Sequence, residues 1–109
     1  MNDERITIHD IQALNVYMYA DNASERFRAQ GYLPAFYNRD TLTVELSRFT
    51  NGKPAPIHLL DGLPPDWVAE RSPAGKILAL KDCVVVGYLC DGVFYTPCEV
   101  SEAVGFDHD

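Results

Sequence analysis

Long apolar runs are missing from this sequence. No stretch approaches the ~18 consecutive apolar residues that a membrane helix needs, so no segment reads as spanning a bilayer. The first residues, Met1-Asn2-Asp3-Glu4-Arg5, are acidic where a secretory leader is basic, and no apolar core follows them. Without secretion the sequon Asn22-Ala23-Ser24 carries no meaning. Cysteine is scarce: Cys83, Cys90 and Cys98 are odd in number and contain no CxxC spacing. That pattern speaks against a disulfide framework and a zinc site, and fits a reducing, cytoplasmic setting. The three histidines, His9, His58 and His108, show no ligand spacing, so no metal is expected. Asp107-His108-Asp109 could at most chelate an adventitious ion. Walker A and GxGxxG glycine patterns are also absent, which argues against a nucleotide cofactor or any other bound cofactor.

What remains is the composition of a soluble globular domain. The chain has 109 residues, 47% of them hydrophobic and 23% charged. One α+β domain spanning 1–109 of this size buries roughly 65% of its unfolded surface. The formal charge is −7, which opposes non-specific attachment to phosphate backbones or anionic membranes. Residues 26–53 depart from that balance. Arg26, Arg28, Arg39, Arg48 and Lys53 face only Asp40 and Glu45, a net +3, with −4 before the segment and −6 after it. Phe27, Tyr32, Phe36, Tyr37 and Phe49 are interleaved with these cations, the composition of a single-strand nucleic-acid face. The same residues also suit a helix–sheet core rimmed by arginine stems.

Helical periodicity runs through most of Asp3 to Tyr32. Thr7 or Asp10 can cap the start, Ile11, Leu14 and Met18 form a stripe with Tyr17 beside it, and Gly31 stops a second, shorter helix. Pro34 to Asn38 reads as a connector. Thr41 to Phe49 alternates, with Leu42, Val44 and Leu46 on one side, as a half-buried antiparallel strand does. Trp67–Arg71 and Lys76–Leu80 flank Ser72-Pro73-Ala74-Gly75. Pairing Arg71 with Lys76 sets Trp67 against Leu80 and Ala69 against Leu78; a short helix from Pro65 is the alternative. Cys83–Cys90 and Val93–Thr96 flank Asp91-Gly92, the strongest hairpin signal present, with Leu89 against Phe94 and Tyr88 against Tyr95. Thr96-Pro97-Cys98-Glu99 is a capping box opening a short C-terminal helix that stops at Gly105. The expected fold is α+β. N-terminal helices pack on a four- to five-stranded antiparallel sheet built largely from the two C-terminal hairpins, with Thr41–Phe49 at an edge or against the first hairpin.

Three functional readings follow. His58, with Asp61 and Asp66 nearby in a Pro/Gly-rich segment, is the candidate polar site of a small enzyme or ligand binder, though a turn-stabilising histidine satisfies the same pattern. No nucleophile–base, metal or phosphate constellation accompanies it, so no catalytic residue is assigned and a non-enzymatic interaction or accessory protein is expected. The basic segment supports a nucleic-acid-associated alternative. The second hairpin is apolar on both faces, and one helical layer covers only one of them. Val84, Val86, Tyr88, Val93 and Tyr95 are therefore the expected interface of a homodimer, unless the chain itself folds over them.

Overall fold

The computed structural model describes residues 5–20 and 23–104. Asn22 of the sequon, the Gly105 stop and the Asp107-His108-Asp109 motif lie outside the described residues, as do the side chains of Tyr17 and Met18. The chain is α+β, with an antiparallel four-stranded sheet and a few short helices.

Helix α1 spans Ile8–Ala20. Its start is a reciprocal cap: the Thr7 N–H donates to Asp10 Oδ2 at 2.9 Å and the Asp10 N–H to Thr7 Oγ1 at 3.2 Å, so both candidate residues take part. Helix α2, Ala23–Ala29, ends in a Schellman motif, with the Tyr32 N–H on the Phe27 carbonyl and the Gly31 N–H on the Arg28 carbonyl, each at 2.9 Å.

Pro34–Asn38, read from sequence as a connector, belongs instead to strand β1 (Leu33–Asn38), which sits inside the sheet. Proline normally argues against such a position because it removes a ladder donor. Here the loss falls where it costs least. The Pro34 carbonyl accepts the Ser47 N–H at 2.9 Å, while the Ser47 carbonyl, deprived of a donor from Pro34, accepts the Ala55 N–H at 2.8 Å. Strand β2 consequently stops at Leu46. It covers Thr43–Leu46, shorter at both ends than the expected Thr41–Phe49, because Leu42 lies in the turn with a φ of 60°. Asn38 closes that turn by accepting the Asp40 and Thr41 N–H groups on its side-chain oxygen.

The first C-terminal hairpin, β3 (Val68–Arg71) and β4 (Ile77–Leu80), does not join the main sheet and forms its own two-stranded ribbon. Its register also differs from expectation: Val68 pairs with Leu80, Glu70 with Ala79 and Arg71 with Ile77. Ser72 closes the loop on Lys76 through its N–H (2.8 Å) and hydroxyl (3.1 Å), which moves the partners of Arg71 and Val68 by one residue, and irregularities on either side of Glu70 move its partner by two. Pro65–Trp67 is a 3₁₀ turn, a fragment of the helical alternative, and it seats Trp67 in the core. The N-terminal arm docks on the ribbon, with the Leu80 N–H on the Ile6 carbonyl at 2.8 Å.

The second hairpin has the expected register. Strand β5 (Val84–Cys90) and strand β6 (Val93–Tyr95) pair Cys90 with Val93, Leu89 with Phe94 and Tyr88 with Tyr95. Both Asp91 (φ 52°) and Gly92 (φ 80°) occupy the left-handed region that a two-residue hairpin turn demands. The full order is β2-β1-β5-β6, and helix α3 (Pro97–Val104) follows, capped by the expected Thr96–Glu99 box.

Two buried clusters lie on one side of this sheet. Phe36 and Val84 join Ile11, Leu60, Leu63, Trp67, Ile77, Leu80 and Cys83. Tyr88 joins Phe27 of α2 and Val100 of α3, with Leu14, Tyr32 and Tyr95 around them. The register places Phe36, Val84, Val86, Tyr88 and Tyr95 on that one face.

Candidate functional site

His58 sits at the seam of the two clusters, 2% exposed. Its ring meets Phe36 and Tyr88 edge-on, with centroids 5.4 and 5.1 Å apart, and its Nε2 lies 2.7 Å from the Gly87 carbonyl oxygen. That contact makes Nε2 the protonated nitrogen of the neutral ring. The segment carrying it is held from both sides. The Asn15 amide on α1 donates to the His58 carbonyl at 2.9 Å and accepts the His58 N–H at 3.2 Å. On the other side the Ser47 hydroxyl donates to the Ile57 carbonyl at 2.8 Å and accepts the Leu59 N–H at 2.7 Å. Burial pushes the His58 pKa down to about 4, against the pull of the Gly87 and Ala35 carbonyls. Burial likewise raises the phenol pKa of neighbouring Tyr88.

Asp61 and Asp66 are exposed and take no part in this arrangement. The three residues of the expected polar site are thus not brought together. His58 is a core histidine satisfied by backbone, the bland reading of its pattern, and solvent does not reach it.

The five cations of the basic segment are divided as well. Arg39 follows the last residue of β1 and donates to the Asp82 carbonyl, while Arg48 follows β2, which runs the other way, and donates to the Gly52 carbonyl at 3.0 Å. Six strand residues, about 20 Å, separate these two ends. Arg26 and Arg28 on α2 and the exposed Lys53 lie toward the Arg48 end. Of the interleaved aromatics, Phe27 and Phe36 are core and Tyr32 packs on Tyr95.

The cysteines stand apart: Cys83 is buried in the first cluster, Cys90 half-buried, and Cys98 exposed on the first turn of α3. Among the described residues no three His, Cys, Asp or Glu side chains converge as metal ligands.

The expected interface requires the largest correction. Val84 and Tyr88 (1% exposed) are covered by the chain's own helices, loop and ribbon, and Val86 and Tyr95 pack against the same clusters. Only Val93, at the hairpin tip, remains open at 50% exposure. Among the described residues the face without helices is the opposite one, which sequence reasoning did not single out. It presents Leu33, Tyr37, Val44, Leu46, Val85, Leu89 and Phe94, all half-buried except the more exposed Leu33, and none belongs to either cluster. Tyr37 and Phe94 stack at 5.3 Å across β5, and the Phe94 ring lies over Gly87, where a β-carbon would collide with it and with the Tyr95 carbonyl. The overlooked signal was the alternation of Leu33, Ala35 and Tyr37, masked by Pro34. Compared with known proteins, the chain matches no family model, no curated sequence and no solved structure.

Proposed function

We propose that this chain is a non-catalytic, cytoplasmic interaction or accessory protein whose working surface is the helix-free sheet face. One observation carries the reading: both hydrophobic clusters lie on the opposite face, leaving seven large, uncharged side chains on a face that no helix or loop covers among the described residues. An antiparallel sheet can leave one face to solvent, but that face is then ordinarily polar. The commitment of His58 to backbone partners favours a binding role over acid–base chemistry.

Comparative capture tests this. Val44→Lys places a charge on the face at edge strand β2, and Val93→Lys places one at the hairpin tip on the other side. A stoichiometric co-purifying protein retained by wild type and Val93→Lys but lost by Val44→Lys is the expected result. Equal retention by all three would overturn it.

A nucleic-acid reading draws on Arg26, Arg28, Arg48 and Lys53, which lie toward one end of the sheet. It predicts salt-sensitive binding of a single-stranded oligonucleotide, weakened by Arg28→Ala. Binding unaffected by salt would remove it.

A further inference from the structure

We infer that Asn51 is a site of spontaneous deamidation, and that the folded turn around it holds the reaction back until that turn opens. Asparagine is a labile side chain. The backbone nitrogen of the following residue is the attacking group, so a side chain on that residue crowds the attack. Of the five asparagines Asn51 alone precedes glycine; Asp3, Val16, Ala23 and Arg39 follow the other four. The loop that carries it is a small hairpin. An antiparallel bridge joins Arg48 to Pro54, the Phe49 N–H donates to the Lys53 carbonyl at 2.8 Å, and the Gly52 N–H donates to the Phe49 carbonyl at 2.9 Å. Closing it requires a left-handed residue after the turn, and Gly52 supplies one with a φ of 89°. The Asn51 side-chain oxygen accepts the Lys53 N–H at 3.0 Å and so helps to shape the same turn. The fold thus uses glycine at 52 for its backbone and an oxygen at 51 for its side chain. Together these needs place the most labile asparagine of the chain in an exposed loop.

The reaction begins when the Gly52 amide gives up its proton to hydroxide. Its nitrogen then bonds to Asn51 Cγ, the Cγ–Nδ2 bond breaks, and Nδ2 takes a proton from water and leaves as ammonia. Water opens the resulting five-membered succinimide at either carbonyl carbon. Breaking the bond from nitrogen to Cγ gives an aspartyl residue; breaking the bond from nitrogen to the main-chain carbon gives an isoaspartyl residue. Both reacting groups are engaged in the folded turn. The Gly52 N–H is bound by the Phe49 carbonyl, and the Asn51 oxygen by the Lys53 N–H. Releasing two exposed hydrogen bonds of this kind slows the reaction roughly 10- to 100-fold. The two products differ in consequence. An aspartyl side chain still accepts from Lys53, so the turn survives. An isoaspartyl residue lengthens the main chain by one carbon inside the turn, and the two bonds of Phe49 cannot both close across it.

Incubation of the full chain in mildly alkaline buffer, folded and in urea, is the test, read by intact mass (a gain of about 1 Da per event) and by fragmentation of the peptide that carries residue 51. The expected result is conversion at Asn51 ahead of every other asparagine in urea, and about tenfold slower or more in the folded chain. Hydrogen exchange at the Gly52 amide gives a readout free of mutation. The same opening frees that N–H for both reactions, so its slowing should match the slowing of deamidation within about threefold. Arg48 ties its guanidinium to the Gly52 carbonyl at 3.0 Å. Arg48→Ala should therefore speed conversion of the folded chain about threefold and leave the rate in urea unchanged. In aged protein the isoaspartyl fraction should exchange its Gly52 and Lys53 amides faster than wild type, while Asn51→Asp should not. Conversion in urea at another asparagine first overturns the site. Equal rates in the folded and unfolded chain, or a Gly52 amide that exchanges freely while deamidation stays slow, overturn the turn as its restraint.

Discussion

Asn15 and His58 are joined twice, side chain to backbone: the Asn15 amide donates to the His58 carbonyl at 2.9 Å and accepts the His58 N–H at 3.2 Å. The pair imitates one rung of a β-ladder between a helix and a loop. It fixes the segment whose imidazole then closes the gap between Phe36 and Tyr88. Fold stability and the inaccessibility of the histidine have the same origin.

Asn15→Ala should expose the value of that rung. It leaves a part-buried N–H and carbonyl of His58 without partners, each costing about 1–3 kcal/mol. Urea unfolding should show a loss of about 2–4 kcal/mol. Asn15→Asp keeps the acceptor but sets a carboxylate oxygen against the His58 carbonyl, so it should not restore wild-type stability. A change below about 0.5 kcal/mol for Asn15→Ala would mean that the loop is held chiefly by Ser47.

Stability should fall in acid because of His58. Its folded pKa is about 4, below the unfolded value of 6.5, so the folded state disfavours the proton. The contribution is fully present above pH 6.5 and is lost as pH falls from there toward 4. At 1.36 kcal/mol per unit the whole loss is about 3 kcal/mol, with about 2 kcal/mol gone by pH 5. Urea midpoints at pH 7.0, 6.0 and 5.0 isolate this interval from most of the carboxylate titrations. His58→Phe should be less stable at pH 7, having lost the Gly87 contact, yet flatter across the interval. Equal pH slopes in the two proteins would refute the assignment.

Sequence periodicity made some of this legible and hid the rest for identifiable reasons. The Asp91-Gly92 hairpin was readable because a two-residue turn fixes register locally, with no dependence on the remaining chain. The Thr96–Glu99 capping box was readable for the same reason, whereas Thr7 and Asp10 were legible only as alternative caps and not as a reciprocal pair. β1 was not, because Pro34 signals a break in any local window. Only the route of residues 47–55 reveals that the missing donor is replaced from elsewhere. Losing β1 exchanged the roles of the two sheet faces. Two apolar faces could be seen in Val84–Cys90, but which one the helices cover depends on the strand that pairs with it. The His58 environment was illegible in a stronger sense, since Asn15 and Gly87 lie far from it in the chain and match no local pattern.

Gly87 should tolerate no side chain. A β-carbon there meets the Tyr95 carbonyl oxygen as well as the Phe94 ring. Gly87→Ala should cost about 2 kcal/mol or more, in the range of overpacked cores. Adding Phe94→Ala should recover only part of that loss, because the ring can be removed but the backbone carbonyl cannot. Full recovery in the double variant would place the whole conflict in the ring.

Leu42 offers the opposite case, a position where substitution should stabilise. It sits in the β1–β2 turn at a φ of 60° with 72% of its surface exposed. A leucine there pays about 1–2 kcal/mol for the left-handed backbone and receives almost no burial in return. Asparagine adopts this conformation more readily because its short polar side chain bonds locally. Leu42→Asn should therefore raise the unfolding free energy by about 0.5 kcal/mol. Leu42→Gly should gain less, since glycine relieves the same strain but loses more chain entropy on folding. Urea unfolding of the three proteins at pH 7 ranks them. A destabilised Leu42→Asn would show that the exposed leucine makes a contact that outweighs its backbone strain.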